Sequence, residues 1–187
     1  MAYLGLRKIK IAKLNGSTYD KPVSLGKAIG LNVNPSYAEG SVYGDDELAE
    51  YDKEFRYADV ILNTSTIPIE ADEQMFGHTV NKEKNEIVYG SEDEAAYVGV
   101  AWLTTEKVDG VKKYCANFLP KVKFSEPSDE FATKGENIEY KTPSISGRAM
   151  ANEKKWKRVK NSIQKLKHRQ QQMRFFPLKL KEKYDVE

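Results

Sequence analysis

The sequence predicts a mainly β fold: an antiparallel β-sandwich or open barrel with one short flanking helix, followed by a basic, partly helical C-terminal extension. Three observations predict it. Two long apolar runs, AAYVGVAWLTTEKV and VKKYCANFLPKVKF, flank Asp109-Gly110. Asp-Gly suits a type I′ hairpin turn, because both central residues must take φ > 0. Further short extended runs recur along the chain between turn residues, giving about eight strands in all. Only Pro68 to Phe76 reads as a helix within the body.

The elements follow in order. Leu6 to Leu14 is a strand, with Arg7, Ile9, Ile11 and Lys13 alternating against Leu6, Lys8, Lys10, Ala12 and Leu14. Asn15-Gly16 ends it. Ser24 to Val33 is a second extended run, broken at Asn34-Pro35, with Gly26 and Gly30 marking bends. Ser36 to Glu54 is polar, contains Gly40, Gly44 and Asp45-Asp46-Glu47, and reads as a long loop. Phe55 to Thr64 is the third strand. Pro68 opens the helix, Glu70, Asp72 and Glu73 complement its dipole, and Gly77 terminates it. Glu86 to Tyr89 is a short strand. The hairpin arms come next, each about fourteen residues or roughly 46 Å at about 3.3 Å per residue. Ser125 to Gly135 is a loop. Asn137 to Ile145 and Lys154 to Lys160 are the last strands, with a turn around Asn152. Ser162 to Phe176 is compatible with a helix and stops at Pro177. These elements divide the chain into a β domain, residues 1–160, and an extension, residues 161–187.

Composition excludes several classes. Of 187 residues, 40% are hydrophobic and 31% charged, which supports a packed core. A single cysteine, Cys115, excludes a disulfide framework and reads as a small strand residue in a cytosolic assembly. No apolar run approaches the roughly twenty residues of a membrane span. The N-terminus lacks the apolar stretch of a signal peptide, so no export by the general secretory route is expected. The net charge of +2 is unevenly divided: residues 152–187 carry 12 Lys+Arg against 4 Asp+Glu, leaving the body at −6. A uniform nucleic-acid-binding domain would not divide this way.

Catalytic patterns are missing from the sequence. His78 and His168 are too few for a histidine-built metal site and read as solvated surface residues. Asp45, Asp46 and Glu47 fit no cation-loop spacing and read as a solvated or interface loop. Ser144 and Ser146 have no evident histidine partner, so no nucleophile–base set is expected and no cofactor is expected either. The hairpin aromatics read mostly as core. On the second arm, Tyr114, Ala116, Phe118, Val122 and Phe124 are expected on one face and Cys115, Asn117, Leu119, Lys121 and Lys123 on the other. A base-stacking platform is the alternative, but the first arm has no basic residue from Ala95 to Thr105. That arm is apolar on both faces, which predicts cover on both sides and hence a partner subunit.

Several segments in fixed order carry a resemblance: LGLRKIKIAKL, SYAEGSVYGDDELAE, FRYADVILNTSTIP, EADEQMFGH, the whole hairpin through KFSEP, TKGENIEYKTPSISGRAM and KKW. Over most of residues 1–160 the chain resembles the major tail tube proteins of siphophages, phages with long non-contractile tails. The resemblance implies a β-sandwich or barrel with a flanking helix, a fold similar to contractile-tail and type VI secretion tube proteins. It implies hexameric rings whose strands join into one β-barrel, stacked into a tube in the virion. Double-stranded DNA would pass through the lumen without specific binding. It further implies tape measure, tail terminator and distal tail proteins as partners, and synthesis in the bacterial host cytoplasm. The expected inter-ring stacking loop includes Tyr37, Tyr43, Asp45, Asp46 and Glu47. The expected inter-subunit hairpin residues are Tyr97, Val98, Val100, Trp102, Tyr114 and Phe118. The rival readings are a nucleic-acid-binding β-barrel with a basic tail and a tube subunit of a phage-derived bacterial particle.

From Asn161 the chain departs from that pattern. Relatives follow the tryptophan strand with an acidic, alanine-rich helix, whereas here it reads NSIQKLKHRQQQMRFFPLKL. A one-base shift relates NSIQKLKH to FDTEAEA under one choice of codons, so a frameshift is one expected origin, tested by the gene sequence. An acidic body should let duplex DNA slide, because each phosphate neutralised by Lys or Arg strengthens binding. The basic tail is expected outside the lumen or between rings, against the acidic body.

Overall fold

A computed structural model describes residues 2–81, 83–84, 86–108, 111–133, 140–151 and 159–163. The described residues are mainly β, paired antiparallel, with one helix. The strands of the main sheet are β1 (Ala2–Asn15), β2 (Thr18–Tyr19), β3 (Val23–Ser24), β4 (Ala28–Gly44), β5 (Glu47–Thr64), β8 (Tyr97–Val108), β9 (Val111–Phe124), β10 (Ser144–Ala149) and β11 (Val159–Ile163). Their order is β2-β1-β8-β9-β10-β5-β4, with β3 also on β1 and β11 also on β9. The helix α1 (Ile69–Phe76) is followed by a small ribbon of β6 (Thr79–Asn81) and β7 (Glu86–Val88). Among the described residues, no helix is long and apolar enough to cross a membrane.

The sheet curls around one core. Ile9 and Ile11 of β1, Val60 and Leu62 of β5, Val98 and Val100 of β8, Leu119, Val122 and Phe124 of β9, and Ile145 of β10 are all buried there. Each such side chain contributes about 1.5–3 kcal/mol of burial free energy. Helix α1 adds Ala71, Met75 and Phe76 to the same core. Its expected punctuation is present: Pro68 is extended at the N-cap, Glu70 and Asp72 lie in the first turn, and Gly77 at φ 79° closes it by donating to the Glu73 carbonyl. A second cluster, Ala12, Tyr19, Ala101 and Phe118, covers the opposite face of β1, β8 and β9. Residues that made β8 look two-sidedly apolar are thus covered within one copy of the chain.

Several expectations are corrected. Strand β1 starts at Ala2 and does not alternate strictly, because register shifts follow Tyr3 and Arg7, with Gly5 at φ 80° and Lys8 at φ 53°. These bulges turn Leu6, Ile9 and Ile11 all toward the core. Asn34-Pro35 does not break the second run. Pro35 pairs with Ala58 inside β4, which lies at the end of the sheet path, where a missing N–H costs no ladder bond. On β9, a register shift opposite Val98 and Val100 resets the alternation near Pro120. Phe118 therefore joins the second cluster, while Val122 and Phe124 join Leu119 in the main core. Of the strand predicted over Asn137 to Ile145, residues 137–139 fall outside the described residues, 140–143 are irregular and β10 begins at Ser144; Pro143 offers its carbonyl to the Thr64 N–H. Ser162 and Ile163, expected to open the tail helix, instead end β11, which runs past the predicted strand end at Lys160; the Asp109-Gly110 turn, residues 154–158 and residues 164–176 fall outside the described residues.

Candidate interaction surface

The largest correction concerns residues 36–54. This segment is not a loop but the outer half of a β-hairpin, built from β4 and β5, whose register continues from Ala28↔Thr64 to Gly44↔Glu47. Every residue from Tyr37 to Glu54 is exposed, so the segment is an arm with no cover on either face. Eight residues per strand at about 3.3 Å give a projection of about 26 Å. Asp45 and Asp46 form the two-residue tip, at φ 51° and 63°. Paired positive φ matches a type I′ turn, and aspartate tolerates the left-handed region better than most residues.

Register assigns the arm two different faces. Tyr37, Glu39, Ser41 and Tyr43 lie opposite Phe55, Lys53, Tyr51 and Leu48 on one face. The other carries Ala38, Gly40, Val42 and Gly44 opposite Glu54, Asp52, Glu50 and Glu47. One face is therefore tyrosine-rich and the other a row of carboxylates over small residues. The tyrosine face is organised internally. Tyr37 stands edge-on to Phe55 with ring centroids 6.0 Å apart. Lys53 Nζ donates to Glu39 Oε1 at 2.5 Å and sits 4.7 Å from the Tyr37 ring centre. That hydrogen bond, then the ammonium charge, holds the Glu39 carboxyl below its usual range and raises Lys53 in return. Tyr43 is 70% exposed, and Val42, Leu48 and Tyr51 are exposed as well. Exposed apolar side chains gathered on one projection mark an interaction surface.

The five stacking candidates, Tyr37, Tyr43, Asp45, Asp46 and Glu47, are thus brought together on the outer arm. The hairpin candidates are distributed differently. Val98, Val100 and Trp102 lie in the main core, with Trp102 only 3% exposed, and Phe118 lies in the second cluster. Tyr97 and Tyr114 are partly exposed, and Tyr97 carries Lys121 Nζ 4.4 Å from its ring centre. Sequence reading missed Leu48, Tyr51 and Phe55 as members of the surface. Their signal was period two on either side of Asp45-Asp46.

The base of the arm is fixed by Arg148, whose Nε donates to Asp59 Oδ1 at 3.2 Å and whose guanidinium lies 4.5 Å from the Tyr57 ring centre. A second polar cluster lies elsewhere. His78, read from sequence as a surface residue, is 5% exposed. Its Nδ1 meets Asp72 Oδ1 at 2.5 Å, its Nε2 lies 3.8 Å from Glu126, and Tyr89 stacks edge-on at 4.5 Å. Asp72 reaches it from α1, so this cluster ties the helix to the segment after β9. Among the described residues, no group of three His, Cys, Asp or Glu side chains is placed to hold a metal ion. No protein-family model matches the chain, and no curated protein matches it.

Proposed function

We propose that the chain is a structural subunit of a phage tail tube, assembling as hexameric rings that stack around a DNA-conducting lumen. The β4–β5 arm carries this reading. A hairpin that projects about 26 Å with no cover on either face costs backbone ordering and buries almost nothing in one copy. It becomes sensible when another copy receives it. Strand β4 also ends the sheet, with no partner on its far side among the described residues. An exposed edge of this length is a template for pairing between chains. The ordered resemblance to siphophage tail tube proteins supports the same reading. In this role the protein is not an enzyme, needs no cofactor, and lets duplex DNA pass without specific binding.

The test is negative-stain microscopy with sedimentation of the purified full-length chain. Rings or tubes of six-fold symmetry are expected, with little retention of duplex DNA at moderate salt. A monomer at all concentrations, or tight salt-sensitive DNA binding by that monomer, would favour the nucleic-acid-binding alternative and overturn the proposal.

A further inference from the structure

The charge of this chain is segregated more sharply than its halves suggest. The arm, residues 37–54, holds seven carboxylates and one lysine, a net −6. The rest of residues 1–151 holds 17 basic and 17 acidic residues, so the whole negative charge of the body resides on the arm. Residues 164–181 hold six Lys and Arg and no carboxylate, a net +6. The two segments are equal in length and opposite in charge.

Topology puts the start of that segment on the same sheet that carries the arm. Ala149 of β10 pairs with Val122 of β9 on one side and Ala58 of β5 on the other. Strand β11 then re-enters the same lane, running from Val159↔Phe118 to Ile163↔Tyr114. Ile163, the last described residue before the basic segment, therefore lies on the side of β9 away from β8, the side on which β10 and β5 follow in the sheet.

We propose that residues 164–181 dock on the carboxylate face of the β4–β5 arm of the same chain, against Glu47, Glu50, Asp52 and Glu54. Charge complementarity, with the start of the segment on the same sheet, selects this occupant over a second copy or a nucleic acid. Ala38, Gly40 and Gly44 on the same face carry little or no side chain beside the carboxylates. The docking also has a consequence. A free tail of this charge would bind phosphates in a salt-dependent way, and one neutralised by the arm would not. This inference stands whether or not the chain forms a tube.

Amine-reactive cross-linking with mass spectrometry tests it, because the arm has one lysine, Lys53, to report on the tail. The full-length chain is compared with the triple variant Glu50→Gln, Asp52→Asn, Glu54→Gln, whose exposed, near-isosteric changes leave the fold intact by circular dichroism. In the unaltered chain, Lys53 is expected to link to Lys165, Lys167, Lys179 or Lys181, and the links should fall several-fold at high salt. In the variant they should fall several-fold at low salt, and retention of duplex DNA should rise. Unchanged links in the variant would overturn the proposal. So would links formed only between isotopically distinct copies, or tail links confined to the rest of the body.

Discussion

Replacing Tyr19 by Phe removes one oxygen from a buried tie between β2 and β9. The Tyr19 hydroxyl donates to the Pro120 carbonyl at 2.8 Å, at the point where the β9 alternation resets. Its ring stands edge-on to Phe118 with centroids 5.6 Å apart, and Phe keeps that contact. The substitution thus isolates a hydrogen bond. Losing it and leaving a buried carbonyl unsatisfied should cost about 1–2 kcal/mol at neutral pH. For a chain of this size, that lowers Tm by about 2–8 °C. The pH dependence is a second, sharper signature. Burial raises the Tyr19 pKa above its ordinary value of 10.0. A folded pKa above the unfolded one contributes stability that is fully present below the unfolded value. That contribution is lost as pH rises past 10 toward the folded value, at most about 1.4 kcal/mol per pH unit. Phe has no such slope. Urea unfolding followed by circular dichroism, at one protein concentration and at pH 7, 10 and 11, should therefore show a gap between the two proteins that narrows above pH 10. An unchanged unfolding free energy at pH 7, or a gap that stays constant to pH 11, would refute the assigned role of the hydroxyl.

Gly147→Ala should be severely destabilising, because its Cβ would lie 2.6 Å from the Phe124 ring and 2.7 Å from the Lys123 carbonyl. A loss of about 2–4 kcal/mol in chemical denaturation is expected. His78→Ala leaves the buried Asp72 carboxylate without its imidazole partner, and should cost about 2–3 kcal/mol by the same assay. Asp46→Gly relieves a left-handed aspartate at the arm tip, and should stabilise the arm by about 0.5–1 kcal/mol, read as slower amide exchange in residues 42–50.

Legibility in the sequence followed local punctuation. Helix α1 was readable because Pro68, the early carboxylates and Gly77 all act within one short segment. The β8–β9 hairpin was readable because its apolar runs are long and flank a turn dipeptide. The arm was not, for a physical reason. Both its faces are exposed, so no buried alternation marks it, and its tip is Asp-Asp rather than a glycine-bearing turn. Gly40 and Gly44 added to the appearance of a loop. Pro35 looked like a strand end because its tolerance depends on lying at the sheet edge, which only the global topology decides. The facing of Phe118 against Val122 turned on a bulge near Pro120, set by how the sheet curls. His78 looked solvated because its cover, Glu126 and Tyr89, comes from distant segments.

The two faces of the arm make its proposed roles separable. If the basic segment occupies the carboxylate face, contact with a neighbouring ring must use Tyr37, Tyr43, Leu48 and Tyr51. With the basic segment seated there, the arm's −6 and the segment's +6 offset each other, so the tyrosine face is the surface left for contact. An arm seated on the body of another copy, whose charges balance, meets no net repulsion there. The resulting contact joins unlike surfaces, and such contacts propagate into rings or filaments rather than closing as dimers. Tyr43→Ser with Leu48→Ser should therefore abolish stacking, measured as loss of tubes in negative stain, while leaving the unfolding midpoint of the subunit unchanged because both side chains are exposed. The carboxylate variant Glu50→Gln, Asp52→Asn, Glu54→Gln should still form tubes. The opposite pattern, with tubes lost in the carboxylate variant and kept in the apolar one, would assign stacking to the acidic face and break the division of labour argued from the register.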